Sequence, residues 1–199
     1  MARVKRLVAG GSLGNEQLTA AVAAVLLLLL AIEGATLLRV RSLLTIHAFV
    51  GMLLIPVLAL KLASTGWRML RYYRHAAEYA RRGPPHVMLR VLVAPVTTLS
   101  TLVLFGTGVA LLFLDQTRGT LVGLHKASFI VWTGATGVHV LAHILELPRA
   151  LRSRVPGTAL RVALVVAALS SGALLATATL PGAERLQDHA FSHFGFDDR

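Results

Sequence analysis

The sequence predicts an all-α integral membrane protein, an α-helical bundle with five transmembrane helices. Three observations predict this class: 55% of the 199 residues are hydrophobic, only 15% are charged, and apolar segments long enough to cross a bilayer recur along the whole chain. The formal net charge is +11, but the basic residues separate the apolar segments instead of forming one stripe, so no nucleic-acid partner is expected. Cysteine is absent, which excludes disulfides and thiolate metal sites.

Each predicted span is an apolar run bounded by charged or turn-forming residues. The five spans cover about 17–38, 43–65, 88–114, 120–147 and 158–180. The first run is longer than the apolar region of a signal peptide and is followed by no clear cleavage site, so it is interpreted as a retained signal anchor. Residues 1–180 are therefore expected to form a single transmembrane domain, followed by a short polar extracytoplasmic tail at 181–199.

Two segments have more specific patterns. Residues 67–83 combine arginines with Trp67, Tyr72 and Tyr73, which predicts an amphipathic extension at the level of the lipid headgroups. In the last span, small residues recur every four positions at Ala168, Gly172 and Ala176. Such a stripe allows close helix packing, either within the bundle or against a second copy of the chain, so a homo-oligomer is left open.

The distribution of basic residues predicts the orientation. Lys and Arg concentrate in residues 3–6, 68–90 and 149–161, which all lie on the same side of a five-span protein as the N-terminus. Because basic segments are retained on the cytoplasmic side, the sequence predicts the cytoplasmic membrane, with the N-terminus inside and the C-terminus outside.

Four histidines, His47, His125, His139 and His143, fall within the predicted spans, where ionisable side chains are costly and by default mark a function. At about 100° per residue, the three histidines of the fourth span line one face, with His139 about 21 Å below His125. The second and fourth spans run in the same direction, and His47 and His125 each lie about one turn inside the outer edge. These two side chains can therefore face each other at equal depth.

Two imidazoles that converge from different helices are the ligands of a low-spin haem iron. Arg39, Arg41 and Lys126, at the outer rim, are suitable partners for haem propionates, or else ordinary interfacial residues. The alternative for the histidines is hydrogen-bonded packing or a proton relay.

Two motifs, IHAFVG at 46–51 and LHKASFIVWTGATGVHVLAH at 124–143, resemble the membrane-embedded b-type cytochrome superfamily, which includes ferric-reductase-like domains and cytochrome b anchor subunits. The resemblance covers residues 43–147 and implies a four-helix core that holds stacked haems between paired histidines. It assigns His47 and His125 to an outer haem iron and His139 to an inner one. Where the second ligand of the second span should stand, this chain has Lys61. One haem b is therefore expected, and a second is left open, with His139 or His143 paired to Lys61 or His86.

The resemblance implies a function in electron transfer within or across the membrane, between quinol and a partner redox protein or another acceptor. The chain would then be an oxidoreductase or the membrane subunit of one. Lys61 and His139 are expected to form a polar inner site for quinone binding or proton uptake. The alternative is a non-redox membrane protein, a small transporter or an assembly factor, that uses the histidines as proton carriers. The sequence shows no inverted repeat of the kind common in transporters.

Overall fold

A computed structural model of the chain describes residues 10–75, 87–153 and 155–192. These residues form six α-helices and no strand, which confirms the predicted all-α class. The helices are α1 (Gly11–Leu37), α2 (Leu44–Tyr73), α3 (Ala94–Leu114), α4 (Thr120–His143), α5 (Leu147–Arg152) and α6 (Thr158–Ser192).

Four helical stretches are long and apolar enough to cross a membrane: Gly11–Leu37, Leu44–Tyr73, Val91–Leu114 and Thr158–Ser192. They support the assignment to membrane proteins. Helix α4 is not among the four. It has the length of a span but carries Lys126 and three histidines, so the fifth span stays a prediction.

Helix α2 is central, because it packs against α1 on one side and α6 on the other. Between α1 and α2 lies an apolar cluster formed by Val22, Leu26, Val50, Leu54 and Val57. A second cluster joins α2, α3 and α6 through Met52, Leu112, Ala176, Ala183 and Leu186. Close van der Waals packing of these side chains holds α1, α2 and α6 together as one packed unit.

The small-residue stripe of α6 packs against α2 of the same chain. A Cβ added at Gly172 would collide with the carbonyl oxygen of Leu53 and lie 3.1 Å from its carbonyl carbon. Ala176, one turn further on, is completely buried. Of the two roles predicted for the stripe, the structure therefore shows packing within the bundle.

Helices α3 and α4 form a hairpin in which α4 packs mainly against α3. Trp132 Nε1 donates a hydrogen bond of 2.9 Å to Thr101 Oγ1 across this contact. A π-helical turn, Leu89–Val93, leads into α3, and Pro95 follows it in the first turn of that helix. A proline has no N–H to donate and disturbs the preceding turn, which accounts for the change of helix type at this point.

The last helix does not stop at Pro181, near the predicted end of the span, but continues to Ser192. Its final turns pack against the bundle: Gln187 Oε1 accepts a hydrogen bond of 2.8 Å from Thr45 N, and His189 Nδ1 lies 2.8 Å from Asp115 Oδ2. Ala183 and Leu186 are buried. Residues 181–192 are therefore a docked helical extension, while 193–199 lie outside the described residues.

The predicted amphipathic segment 67–83 is helical as far as Tyr73, the last residue of α2. Residues 76–86, with His86, lie outside the described part of the chain. The end of the bundle opposite Tyr73 carries the connection 38–43 between α1 and α2 and the connection 115–119 between α3 and α4. This end is called the loop end below.

Candidate functional site

Near the loop end, the structure brings the imidazole rings of His47 and His125 together. Their centroids are 6.5 Å apart and the ring planes are inclined by 85°. His47 lies in the first turn of α2 and His125 in the second turn of α4, so both residues are close to the N-terminal ends of their helices. Two residues 78 positions apart in the sequence thus meet across the bundle.

The Nδ1 atom of His47 faces two side chains of α1. Glu33 Oε1 lies 2.9 Å from it, and Thr36 Oγ1 lies 3.0 Å from it. The side chains of His47 and Glu33 are 20% and 16% exposed, and Thr36 is buried. Because α1 and α2 are joined by the short connection 38–43, residues close to it on either side lie at the same depth.

The Nδ1 atom of His125 has a parallel environment on α3. Thr107 Oγ1 lies 3.0 Å from it, and the carbonyl oxygen of Leu104 lies 3.1 Å from it. Thr107 is buried. The two environments have the same spacing. Thr36 follows Glu33 by three residues on α1, and Thr107 follows Leu104 by three residues on α3.

These contacts assign the tautomer of both rings. Thr36 donates its hydroxyl proton to the carbonyl oxygen of Glu33 at 2.6 Å, and Thr107 donates its proton to the carbonyl oxygens of Val103 and Leu104 at 2.7 and 3.0 Å. Each hydroxyl oxygen is therefore an acceptor toward its histidine. With a carboxylate or a carbonyl as the second acceptor, Nδ1 carries a proton, and in the neutral ring Nε2 then keeps its lone pair. This is the state in which a histidine binds a metal through Nε2.

The ring separation suits one metal ion held between the two histidines. A metal–imidazole bond is about 2 Å long and a ring nitrogen lies about 1 Å from its centroid, so two such ligands on opposite sides of one ion have centroids about 6 Å apart. The observed 6.5 Å is close to this value. The described residues contain no group of three or more His, Cys, Asp or Glu able to hold a metal ion. The pair itself could offer two imidazole donors, which is the number that a bis-histidine haem needs.

One glycine leaves room for a ring of this pair. A Cβ at Gly108 would stand 3.2 Å from Cε1 of His125, so the absence of a side chain there admits the ring. Gly106, Gly134 and Gly137 are exposed, and no heavy atom of the described residues approaches within 4 Å of where a Cβ would stand. Gly134 and Gly137 follow His125 on α4 by more than two helical turns, so they do not border the pair. Gly51 instead faces Glu33, whose Oε1 would be 3.7 Å from an added Cβ.

The basic residues predicted as propionate partners lie at the loop end and are exposed. Arg39 and Arg41 lie in the connection between α1 and α2 and line a groove of about 390 Å³ that Phe191 of α6 also contacts. Lys126 follows His125 directly and is exposed. All three are therefore at the same end of the bundle as the histidine pair.

Lys61 and His139, the predicted inner residues, are close enough to interact electrostatically, and each also has a further partner. Lys61 Nζ donates a hydrogen bond of 3.0 Å to the carbonyl oxygen of Thr19 on α1, beside a polar contact in which Asn15 Nδ2 donates to the carbonyl oxygen of Ser64 at 3.0 Å. His139 and His143 lie next to each other on α4, with ring centroids 4.9 Å apart. His143 Nδ1 is 3.1 Å from Glu146 Oε2 in an exposed pair. His75 is the second residue beyond α2, with a φ of 53°.

Comparison with protein-family models, with curated proteins and with solved structures finds no match to this chain. The site therefore has to be interpreted from its own geometry.

Sequence reasoning missed the residues that orient the histidines: Glu33, Thr36, Leu104 and Thr107. One of them had a signal, because Glu33 is the single ionisable residue within the apolar run 18–38, and such residues are rare unless they function. The two threonines and the Leu104 carbonyl had none, because threonines are common in membrane helices and every residue has a carbonyl.

Proposed function

We propose that this protein is a membrane b-type cytochrome that carries electrons within or across the membrane, with haem bound between His47 and His125. The single observation that carries the proposal is the paired imidazole rings, 6.5 Å apart, with both Nδ1 atoms engaged by oxygen acceptors. Bound between them, a haem iron supplies one-electron chemistry at a potential set by its two ligands and their hydrogen bonds.

The protein's own residues do the positioning. Glu33 and Thr36 hold the His47 ring from α1, and Leu104 and Thr107 hold the His125 ring from α3. Because each ring is fixed at Nδ1 by a neighbouring helix, its Nε2 is oriented before any ligand binds, which lowers the entropic cost of binding. Arg39, Arg41 and Lys126 provide positive charge at the same end of the bundle for the carboxylates of the haem edge.

A fifth span is part of the proposal. Helix α4 lies beside α3 through the contacts of His125 with Thr107 and of Trp132 with Thr101. Its 24 residues extend about 36 Å, more than the roughly 30 Å of a bilayer's hydrocarbon core. If α3 crosses the membrane, α4 crosses beside it, with His125 and Trp132 facing α3. Five crossings place the two termini on opposite sides of the membrane.

The proposed electron donor or acceptor in the membrane is a quinone, with a second redox protein or acceptor at the other end. The inner ends of α1, α2 and α4 carry several polar residues, with Asn15 and Thr19 on α1, Lys61 and Ser64 on α2, and His139 on α4. Polar groups of this kind can hydrogen-bond a quinone head group or take up the protons released from a quinol.

The test is the absorption spectrum of the protein purified in detergent. We expect a sharp Soret band with α and β bands on reduction. His47→Ala and His125→Ala should each abolish the low-spin bands, because one imidazole cannot maintain bis-histidine ligation. His189→Ala, in the helical extension, and His143→Ala, on α4 but paired with Glu146, are the matched controls and should keep the bands. Unaltered spectra in both of the first two variants would contradict the assignment.

A second function is favoured by one observation, the contact of Glu33 with His47, whose ring in turn faces His125. A series of ionisable groups in adjacent helices is also what a proton-carrying transporter requires. The same spectrum separates the two functions, since a colourless protein that stays colourless after incubation with haemin favours the transporter.

A further inference from the structure

Glu33 is a carboxylate directly after the apolar run 20–32 of α1. It is the one ionisable residue between positions 18 and 38 and lies four residues before the end of the helix. An ionisable side chain within a membrane helix is costly and by default marks a function. A carboxylate in such a position therefore calls for a specific role.

The contacts of Glu33 tie it to one partner. Its Oε1 lies 2.9 Å from His47 Nδ1, and its Oε2 is buried with no hydrogen-bond partner among the described residues. The glycine at position 51 leaves the space beside Oε1 open, with an added Cβ 3.7 Å away. The carboxylate is thus directed at the imidazole and to no other described polar group.

The corresponding position on the other side of the pair holds a weaker acceptor. His125 Nδ1 faces the carbonyl oxygen of Leu104 at 3.1 Å, with Thr107 in the role that Thr36 has beside His47. The two environments match in their threonines and differ in charge, since one second acceptor is a carboxylate and the other a neutral carbonyl. A hydrogen bond from Nδ1–H to a carboxylate raises the basicity of the ring's other nitrogen more than one to a carbonyl.

We infer that Glu33 is the positioning residue that makes His47 the stronger electron donor of the two ligands and lowers the midpoint potential of the site. This inference rests on the proposed haem site. Two effects have the same sign: a more basic Nε2 stabilises ferric over ferrous iron, and so does a negative charge close to the site. The side chain acts through His47 and does not touch the iron.

The experiment is a redox titration of the purified haem protein, comparing wild type with Glu33→Gln. The amide keeps the size of the side chain and an oxygen acceptor but removes the charge, so haem should remain bound while the midpoint potential shifts to more positive values. Glu146→Gln is the matched control, because Glu146 pairs with a histidine outside the proposed site at 3.1 Å, and it should leave the potential unchanged. Haem content is measured in every variant by pyridine haemochrome.

An unchanged potential in Glu33→Gln, or a shift to more negative values, would overturn the inference. If Glu33→Gln loses its haem, Glu33→Asp decides. This variant keeps the charge but moves it away from His47 by one methylene, so the midpoint potential of the variant should lie above that of wild type. A midpoint potential equal to that of wild type overturns the inference. A wild-type protein that binds no haem contradicts the proposed function itself, so the two failures are distinct.

Discussion

At the scale of single residues, the state of each histidine is set by side chains on another helix. His47 on α2 is oriented by α1, and His125 on α4 is oriented by α3. Partly buried ring nitrogens need hydrogen-bond partners, and the threonine hydroxyls, the Glu33 carboxylate and the Leu104 carbonyl provide them here. Lys61 follows the same rule, because its Nζ bonds a carbonyl oxygen of α1.

Lys61 stands where the b-type cytochrome pattern would have a second histidine, and its bond to Thr19 would have to break before it could bind iron. We therefore predict one haem per chain. Lys61→Met should leave the haem content unchanged and slow the reduction of the haem by a quinol analogue, because a polar group for the head group is lost. Arg68→Met, on the same helix but beyond the apolar segment, is the control with an equal change in charge. A pyridine haemochrome assay that returns two haems per wild-type chain would refute the single-haem prediction.

At the scale of helices, the packing is uneven. Helix α2 is enclosed by α1 and α6 through two apolar clusters, whereas within α4 Ser128 is the one buried residue. The difference arises from side-chain size, because the Gly172 and Ala176 positions let the backbones of α6 and α2 approach closely. Helix α4 makes little contact with α2 apart from the approach of the His47 and His125 rings.

The close approach at Gly172 predicts a stability effect. Gly172→Ala should lower the free energy of unfolding by about 1 to 3 kcal/mol, because the new methyl group would collide with the backbone of Leu53, which cannot rotate away. Gly66→Ala, in α2 with no neighbouring atom of the described residues within 4 Å, is the matched control and should be neutral or slightly stabilising. Thermal unfolding in detergent, followed by circular dichroism, measures both. Equal unfolding temperatures would show that α6 and α2 are not so closely packed in solution.

At the scale of the whole molecule, the helical extension of α6 joins parts of the loop end that are distant in sequence. Its residues contact Thr45 at the start of α2 and Asp115 after α3, and Phe191 borders the groove lined by Arg39 and Arg41. The pair formed by His189 and Asp115 is partly exposed, so its contribution to stability is small, on the order of 1 kcal/mol or less. The buried Ala183 and Leu186 are the main anchors of the extension.

The five-span proposal makes a prediction about sidedness that is simple to test in a chain without cysteine. Ser192→Cys should react with a membrane-impermeant maleimide from the extracytoplasmic side, whereas Arg74→Cys, at the end of α2, should react only after the membrane is permeabilised. Both positions are exposed, so accessibility within the protein does not limit labelling. Labelling of both residues from the cytoplasmic side alone would indicate four crossings, with α4 not crossing the membrane. Labelling of Arg74→Cys from the extracytoplasmic side and of Ser192→Cys only after permeabilisation would indicate the inverted topology.

The sequence by itself determined the all-α membrane class and the approximate positions of the helices, because hydropathy and helical period are local properties of the chain. It also predicted that His47 and His125 could meet, since the depth of a residue follows from its distance to the end of its span. The positions of Arg39, Arg41 and Lys126 at the same end were predictable in the same way, from the number of residues between each of them and the end of the nearest span.

Only the tertiary structure decided what surrounds those residues. That Glu33 faces His47, that the Leu104 carbonyl faces His125, and that Lys61 bonds α1 all depend on how helices rotate and pack against one another. The same holds for the helix beyond Pro181, whose buried Leu186 gives it a tertiary reason to continue. Such choices are made by contacts between residues far apart in sequence, and neither composition nor periodicity contains the energies of those contacts.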